Sequence, residues 1–158
     1  EEWDVPLMVT RGYPSLSYVH SAAEQIYYAD KPAYLYYFGD HDPSGIDIPR
    51  FVEETLHTLL EENDHWEDFT FKCVAVNRHQ IDRWNLPTRP TKKSDSRSKS
   101  FRGESVEVDA LPPDQLRQLV RDCIEQHIDP ETLAATQRVE DSERATLAQV
   151  IEGLGPAA

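Results

Sequence analysis

Ala33-Tyr34-Leu35-Tyr36-Tyr37-Phe38-Gly39-Asp40-His41-Asp42-Pro43-Ser44-Gly45 is the stretch that decides the fold. Six apolar and aromatic residues follow one another without polar alternation and run straight into a cluster of turn formers. Such a run, bounded by turn residues, reads as a central parallel strand covered on both faces. Upstream, Asp30-Lys31-Pro32 breaks a helix that starts near Ser15 or Ser17 and carries Leu16, Val19, Ala23 and Ile26-Tyr27 at helical spacing. Before that helix, Leu7-Met8-Val9-Thr10 reads as a short buried strand ending in the turn Arg11-Gly12-Tyr13-Pro14. Downstream, the pattern predicts a helix from about Asp47 to Glu62, with Pro49 in its first turn and Phe51, Val52, Thr55, Leu56, Leu59 and Leu60 on its apolar face. Phe69 to Val76 follows as a strand, and Asn77 is placed to cap a short helix ended by Leu86-Pro87. The order β-α-β-α-β argues for an α/β domain with a mostly parallel sheet flanked by helices.

Beyond residue 87 the composition changes. Thr88 to Gly103 is rich in Ser, Thr, Lys and Arg and reads as an exposed, mobile loop. Ser105 to Leu111 restores apolar alternation, which places Glu107 and Asp109 on the opposite face of a strand from Val106 and Val108. Pro112-Pro113-Asp114 opens a helix bearing Leu116, Leu119, Val120, Cys123, Ile124 and Ile128. Asp129 then caps a restart at Pro130 that runs to about Ile151. This gives one α/β domain over residues 1–128, containing a basic loop at 88–103, and a C-terminal helical extension over 129–158. The last helix has a thin apolar stripe and suits packing on a partner.

The chain of 158 residues carries a formal net charge of −13. No apolar stretch approaches the roughly 20 residues a membrane helix needs, and no secretory signal is visible, so a cytoplasmic protein with no membrane partner is expected. Cys73 and Cys123 sit in apolar-periodic segments without metal-ligand spacing and read as reduced, buried thiols. Glu1-Glu2-Trp3-Asp4 runs almost at once into Val5-Pro6-Leu7-Met8-Val9, so the chain reads as a fragment cut just before a strand.

Asp40 and Asp42 stand where the decisive strand becomes its loop, and ligands of open α/β sheets bind at that carboxyl edge. Two carboxylates one residue apart in a turn suit a hard cation such as Mg²⁺ or Mn²⁺, completed by waters and substrate phosphates. Gly39 and Gly45 permit tight turns around the pair. The plainer alternative is a polar loop in which Asp42 caps the turn before Pro43. His41 has no second His or Cys at ligand spacing and is left unassigned.

Gly12-Tyr13-Pro14 after one strand and Asp40-His41-Asp42-Pro43-Ser44-Gly45 after the next resemble the Toprim (Rossmann-like) domain of the type IIB topoisomerase (topoisomerase VI) A subunit and the related meiotic double-strand-break protein. Gln80-Ile81 with Leu86-Pro87, an Asp at position 95, and Glu107-Val108-Asp109-Ala110-Leu111 continue the resemblance in order, so that it covers residues 5 to 128. The second motif is the specific one. The resemblance implies a metal-binding domain of a DNA strand-breaking enzyme, topoisomerase or nuclease, with Mg²⁺ held by Asp40 and Asp42 at the scissile phosphate. It also implies a metal-binding Glu on a strand before the Gly-Tyr-Pro strand, and a nucleophilic Tyr in an upstream winged-helix domain. Neither has a counterpart here, so the catalytic residues are unknown and the chain alone is expected to be inactive. Tyr13 and Tyr34 to Tyr37 read as turn and core residues. The implied partner is DNA, with a homodimer or an upstream winged-helix domain as further candidates, and the implied location is then nucleoid-associated.

Charge bears on that partner. Residues 78–102 hold eight cations, Arg78, Arg83, Arg89, Lys92, Lys93, Arg97, Lys99 and Arg102, against Asp82 and Asp95. A basic segment on an acidic body fits phosphate contact on one face. Arg89, Lys92, Lys93, Arg97, Lys99 and Arg102 are the candidate DNA contacts, and a solvated loop without a ligand is the alternative. Two other readings compete: a catalytically silent Toprim-like dimerisation or regulatory scaffold, and a nucleotide-sugar glycosyltransferase, which also uses Asp-x-Asp. Glu107 is expected to pair with a base rather than to touch the metal.

Overall fold

The structure, a computed structural model, describes residues 3, 5–62, 66–91, 101 and 103–154. Five α-helices and two strands occur among them, in the order α1 (Leu16–Ala29), β1 (Ala33–Phe38), α2 (Pro43–Glu61), β2 (Phe69–Ala75), α3 (Arg78–Trp84), α4 (Pro113–Glu125) and α5 (Pro130–Leu154). Single 3₁₀ turns lie at Trp66–Asp68 and Val108–Ala110. The class is α/β. β1 and β2 pair in parallel, with Ala33 opposite Phe69 and Tyr37 opposite Cys73, and a register shift between Tyr37 and Phe38. No helix among the described residues is long and apolar enough to cross a membrane.

The chain divides into two compact units, the first ending at Pro112 and the second starting at Pro113. The Pro112-Pro113 pair can neither donate backbone hydrogen bonds nor let residue 112 enter a helix, so it separates the units well before the 128/129 boundary read from the sequence.

The core of the first unit lies where α1 meets α2. Val19, Ala22 and Ala23 of α1 face Ile48, Val52, Leu56 and Leu60 of α2, and Phe69 of β2 closes the cluster. The four α2 residues recur at every fourth position, a single row on one helix face. Leu56 and Leu60 are essentially inaccessible, at 0% and 1% exposure. The small Ala22 and Ala23 let the helices approach. Leu16, assigned to the apolar face from spacing, is instead exposed in the first turn of α1. Ser15 caps α1, its Oγ accepting the Tyr18 N–H at 3.2 Å, and Asp30 ends it in a left-handed conformation.

Four expected elements are corrected. Residues 5–10 form no strand: Leu7 is 85% exposed and Val9 65%, while Met8 alone of the run packs on the core. Apolar composition does not make a strand without a neighbour to pair with, and no ladder reaches this segment. For the same reason β1 is not a central strand. Among the described residues it has one paired neighbour and so stands at an edge, and it is not covered on both faces: Leu35 and Tyr37 turn to the core while Tyr34 stays 47% exposed. Its tyrosines suit that half-wet position because each joins an apolar ring to a polar tip. Residues 105–111 form isolated bridges at Ser105 and Val106 followed by the Val108–Ala110 turn, not a strand. α2 begins at Pro43, not Asp47, because Asp42 is its cap and Pro43 its first residue. Pro49 therefore falls inside the helix.

The second unit holds α4 and α5. Asp129 caps α5 as read from the sequence, its Oδ2 accepting both the Thr132 N–H at 2.8 Å and the Thr132 hydroxyl at 2.7 Å. Among the described residues of α5 only Leu133 is partly covered. Both cysteines are free; Cys123 is buried, but Cys73, read as buried, is exposed.

Candidate metal centre

The end of β1 exchanges one backbone partner for another within three residues. Gly39 still pairs with the β2 side, donating to the Ala75 carbonyl and accepting from Val76 N–H, both at 2.8 Å. His41 has already switched to Val106, giving and accepting hydrogen bonds at 2.7 and 3.0 Å in an antiparallel bridge. Asp40 sits between these two attachments, so its main chain is fixed on both sides. After Val106 the chain turns into the Val108–Ala110 segment, and Val108 N–H donates to Asp40 Oδ1 at 2.8 Å.

Asp42 is fixed by a different device. Its Oδ1 accepts the Gly45 N–H at 2.7 Å, one of the amides that a helix N-terminus leaves without an internal partner. The capping role that the plainer sequence reading gave Asp42 is thus present, now at the head of α2. Each carboxylate commits Oδ1 to a main-chain amide. Among the described residues, neither Asp40 Oδ2 nor Asp42 Oδ2 takes a hydrogen bond.

Gly45 is dictated by space. A Cβ built there would stand 1.9 Å from the Asp40 carbonyl oxygen, so the first turn of α2 passes against the backbone of the loop it caps. Gly12 answers a conformational demand instead: its φ of 89° lies in the left-handed region that favours glycine. The turn it makes brings the Tyr13 hydroxyl to Asp47 Oδ2, and the Tyr13 ring lies edge-on to Phe51 with centroids 5.8 Å apart. Arg50 holds the other oxygen of Asp47 through Nε and Nη2, at 2.9 and 2.6 Å, and reaches Glu54 at 2.7 Å. The Gly-Tyr-Pro turn and the Asp-x-Asp loop, far apart in sequence, are both fastened to the first half of α2.

The Tyr37 ring covers Gly39, with the hydroxyl 2.5 Å from where a Gly39 side chain would begin. Burial raises the Tyr37 pKa above its ordinary value, and the charges of Cys73, Asp40 and Asp42 push it the same way. The phenol therefore stays protonated beside the carboxylates. His41 points elsewhere: its Nδ1 is 3.2 Å from the Val76 carbonyl and its ring is 5.5 Å from that of Phe101.

Among the described residues, no three His, Cys, Asp or Glu side chains come together as a metal-ligating group. A cation here would have Asp40 and Asp42 as its protein ligands and would draw its other positions from water or phosphate, a donor set that suits Mg²⁺. Glu107 forms an ion pair with Arg89. Arg89 also exchanges backbone hydrogen bonds with Ser105 at 2.9 and 2.8 Å. One of the candidate DNA contacts is thus already paired with an acid. Lys92, Lys93, Arg97, Lys99 and Arg102, with Asp95, lie outside the described residues.

Two supporting groups, Gln80 and the Val108 amide, were given no role at the site by the sequence reading. Gln80, buried at 4% exposure, donates from Nε2 to the Val74 carbonyl at 2.9 Å and accepts the Asn77 N–H at 2.8 Å. Asn77 caps α3 as expected, in a capping box with Gln80, and its side-chain amide also donates to the Val74 carbonyl at 2.8 Å. Val108 contributes only its main-chain amide, which no side-chain pattern reveals. No family model matches this chain, no curated protein is significantly similar to it, and no solved structure matches it.

Proposed function

We propose that the first unit is a cation-binding domain of Toprim type belonging to a DNA strand-breaking enzyme, with Asp40 and Asp42 holding Mg²⁺ or Mn²⁺ against a DNA phosphate. One observation carries this reading. At the carboxyl end of a parallel strand, two carboxylates are each anchored through one oxygen to a backbone amide, and among the described residues neither has a hydrogen bond on its other oxygen. Anchoring by amides pre-orients both groups, which lowers the ordering cost of capturing an ion. The bound cation would supply charge neutralisation at the phosphate. The protein's own part is to hold the acids in place, through Val108 and the α2 N-terminus, and to tie α2 to the Gly-Tyr-Pro turn.

Titration with Mg²⁺ or Mn²⁺, followed by NMR, tests the assignment. Resonances of residues 39–45 should shift or broaden, with weak affinity because only two acids contribute. The Asp40→Asn/Asp42→Asn double variant should abolish the effect, and equal shifts in that variant would defeat the proposal. The lack of a third acid among the described residues favours one competitor, a silent scaffold of the same fold. A wild-type chain indifferent to both cations would select it.

A further inference from the structure

We infer that the Tyr37 hydroxyl is the phosphate-binding donor of the candidate metal centre, placed to hold a phosphodiester oxygen beside a cation on Asp40 and Asp42. The inference rests on the proposed metal site and adds the group that would meet the substrate. Two carboxylates alone repel a phosphate; a cation between them offsets that repulsion, and a neutral donor beside the acids would add a directional contact to a phosphate oxygen. Tyr37 supplies one at the right place. Its ring overlies Gly39, the residue immediately before Asp40, and so brings a hydroxyl to the edge of the loop. Tyr37 is partly buried and packs against the core, which fixes the ring. Yet the hydroxyl makes no hydrogen bond with any described residue, although two carboxylates with uncommitted oxygens lie near it. A positioned donor that its acidic neighbours do not take up is suited to an incoming acceptor. A phenol can also approach without adding a charge that would compete with the cation.

Gly39 belongs to the same arrangement. A side chain there would meet the Tyr37 hydroxyl at 2.5 Å and the ring at 2.6 Å, so glycine keeps open the space in which the phenol lies.

The probe is thymidylyl-thymidine, which carries one phosphodiester and no other phosphate, titrated into the full chain with and without Mg²⁺ and followed by NMR. The wild type should bind it only when Mg²⁺ is present. Tyr37→Phe should keep Mg²⁺ affinity within twofold and weaken the dinucleotide about tenfold, the usual effect of losing one hydrogen bond to a charged acceptor. Gly39→Ala, which displaces the ring without removing the hydroxyl, should weaken the dinucleotide in the same direction. Near-UV circular dichroism verifies that each variant is folded. Unchanged dinucleotide affinity in Tyr37→Phe, with Mg²⁺ binding intact, overturns this inference alone. Loss of Mg²⁺ affinity in Tyr37→Phe overturns it too, because the hydroxyl would then be serving the cation and its ligands. Absence of Mg²⁺ binding in the wild type removes the metal site, and the inference with it.

Discussion

Asp42 caps α2 through one oxygen and, in the proposed site, would offer the other to a cation, and substitution can separate the two. Asp42→Asn keeps an acceptor for the Gly45 amide and should leave stability nearly unchanged while removing cation binding. Asp42→Ala loses both and should cost about 1 kcal/mol, as loss of a cap does. Urea denaturation of the two variants, compared with their Mg²⁺ titrations, reads the difference. Gly45→Ala makes a harsher demand, because its methyl group would collide with main chain rather than with a movable side chain. It should destabilise by about 1–3 kcal/mol or more, with the loop displaced from α2. Equal midpoints for wild type and Gly45→Ala would contradict the close approach described here.

At the scale of elements, α5 contains a pH-sensitive start. The Thr132 hydroxyl, and then the Thr132 amide, hold the Asp129 carboxyl below its ordinary value of 3.8. A lowered folded-state pKa stabilises above the unfolded value, and the contribution is lost as pH falls through the folded one. The first turn of α5 should therefore loosen in acid below about pH 4. Asp129→Asn should remove that dependence, and amide chemical shifts of residues 130–133 report it. In α2, Leu56→Ala should cost about 2–5 kcal/mol, since Leu56 is fully enclosed in the core. α1, β1, β2, α4 and α5 were legible in the sequence because each has a strong local signal: Ser15 or Asp129 as a cap, an unbroken apolar run, or helical spacing. What was not legible depended on partners. Residues 5–10 and 105–111 have strand-like composition, but pairing decides strands and a single sequence does not display it. The start of α2 was misplaced because Asp42 was weighed mainly as a ligand, and Pro43 was not read as the first helical residue. Asp40 and Asp42 were visible as a pair; the amides that fix them were not.

Across the whole molecule, burial is concentrated in the first unit, and its distribution predicts where the backbone opens. α2 presents a row of enclosed residues, whereas α5 is exposed along nearly all its described length. Hydrogen exchange should therefore be slow in the middle of α2 and fast throughout α5, and comparable protection in the two would refute this ranking. Charge is distributed as unevenly. If the basic segment touches phosphates, DNA affinity should fall steeply with salt, against a chain that carries −13 overall. Neutralising Lys92, Lys93, Arg97 and Lys99 together should flatten that slope, and an unaltered slope would show a segment that meets only water. The amide anchors of Asp40 and Asp42 also shape how the chain tolerates mutation. A main-chain N–H is present whatever side chain a codon specifies, so nearly any residue at position 108 preserves the hold on Asp40, and a saturation library should recover many of them. Proline is the exception, because it alone deletes the donor. Val108→Pro should behave like a lesion at Asp40 itself, although position 108 would tolerate most other substitutions.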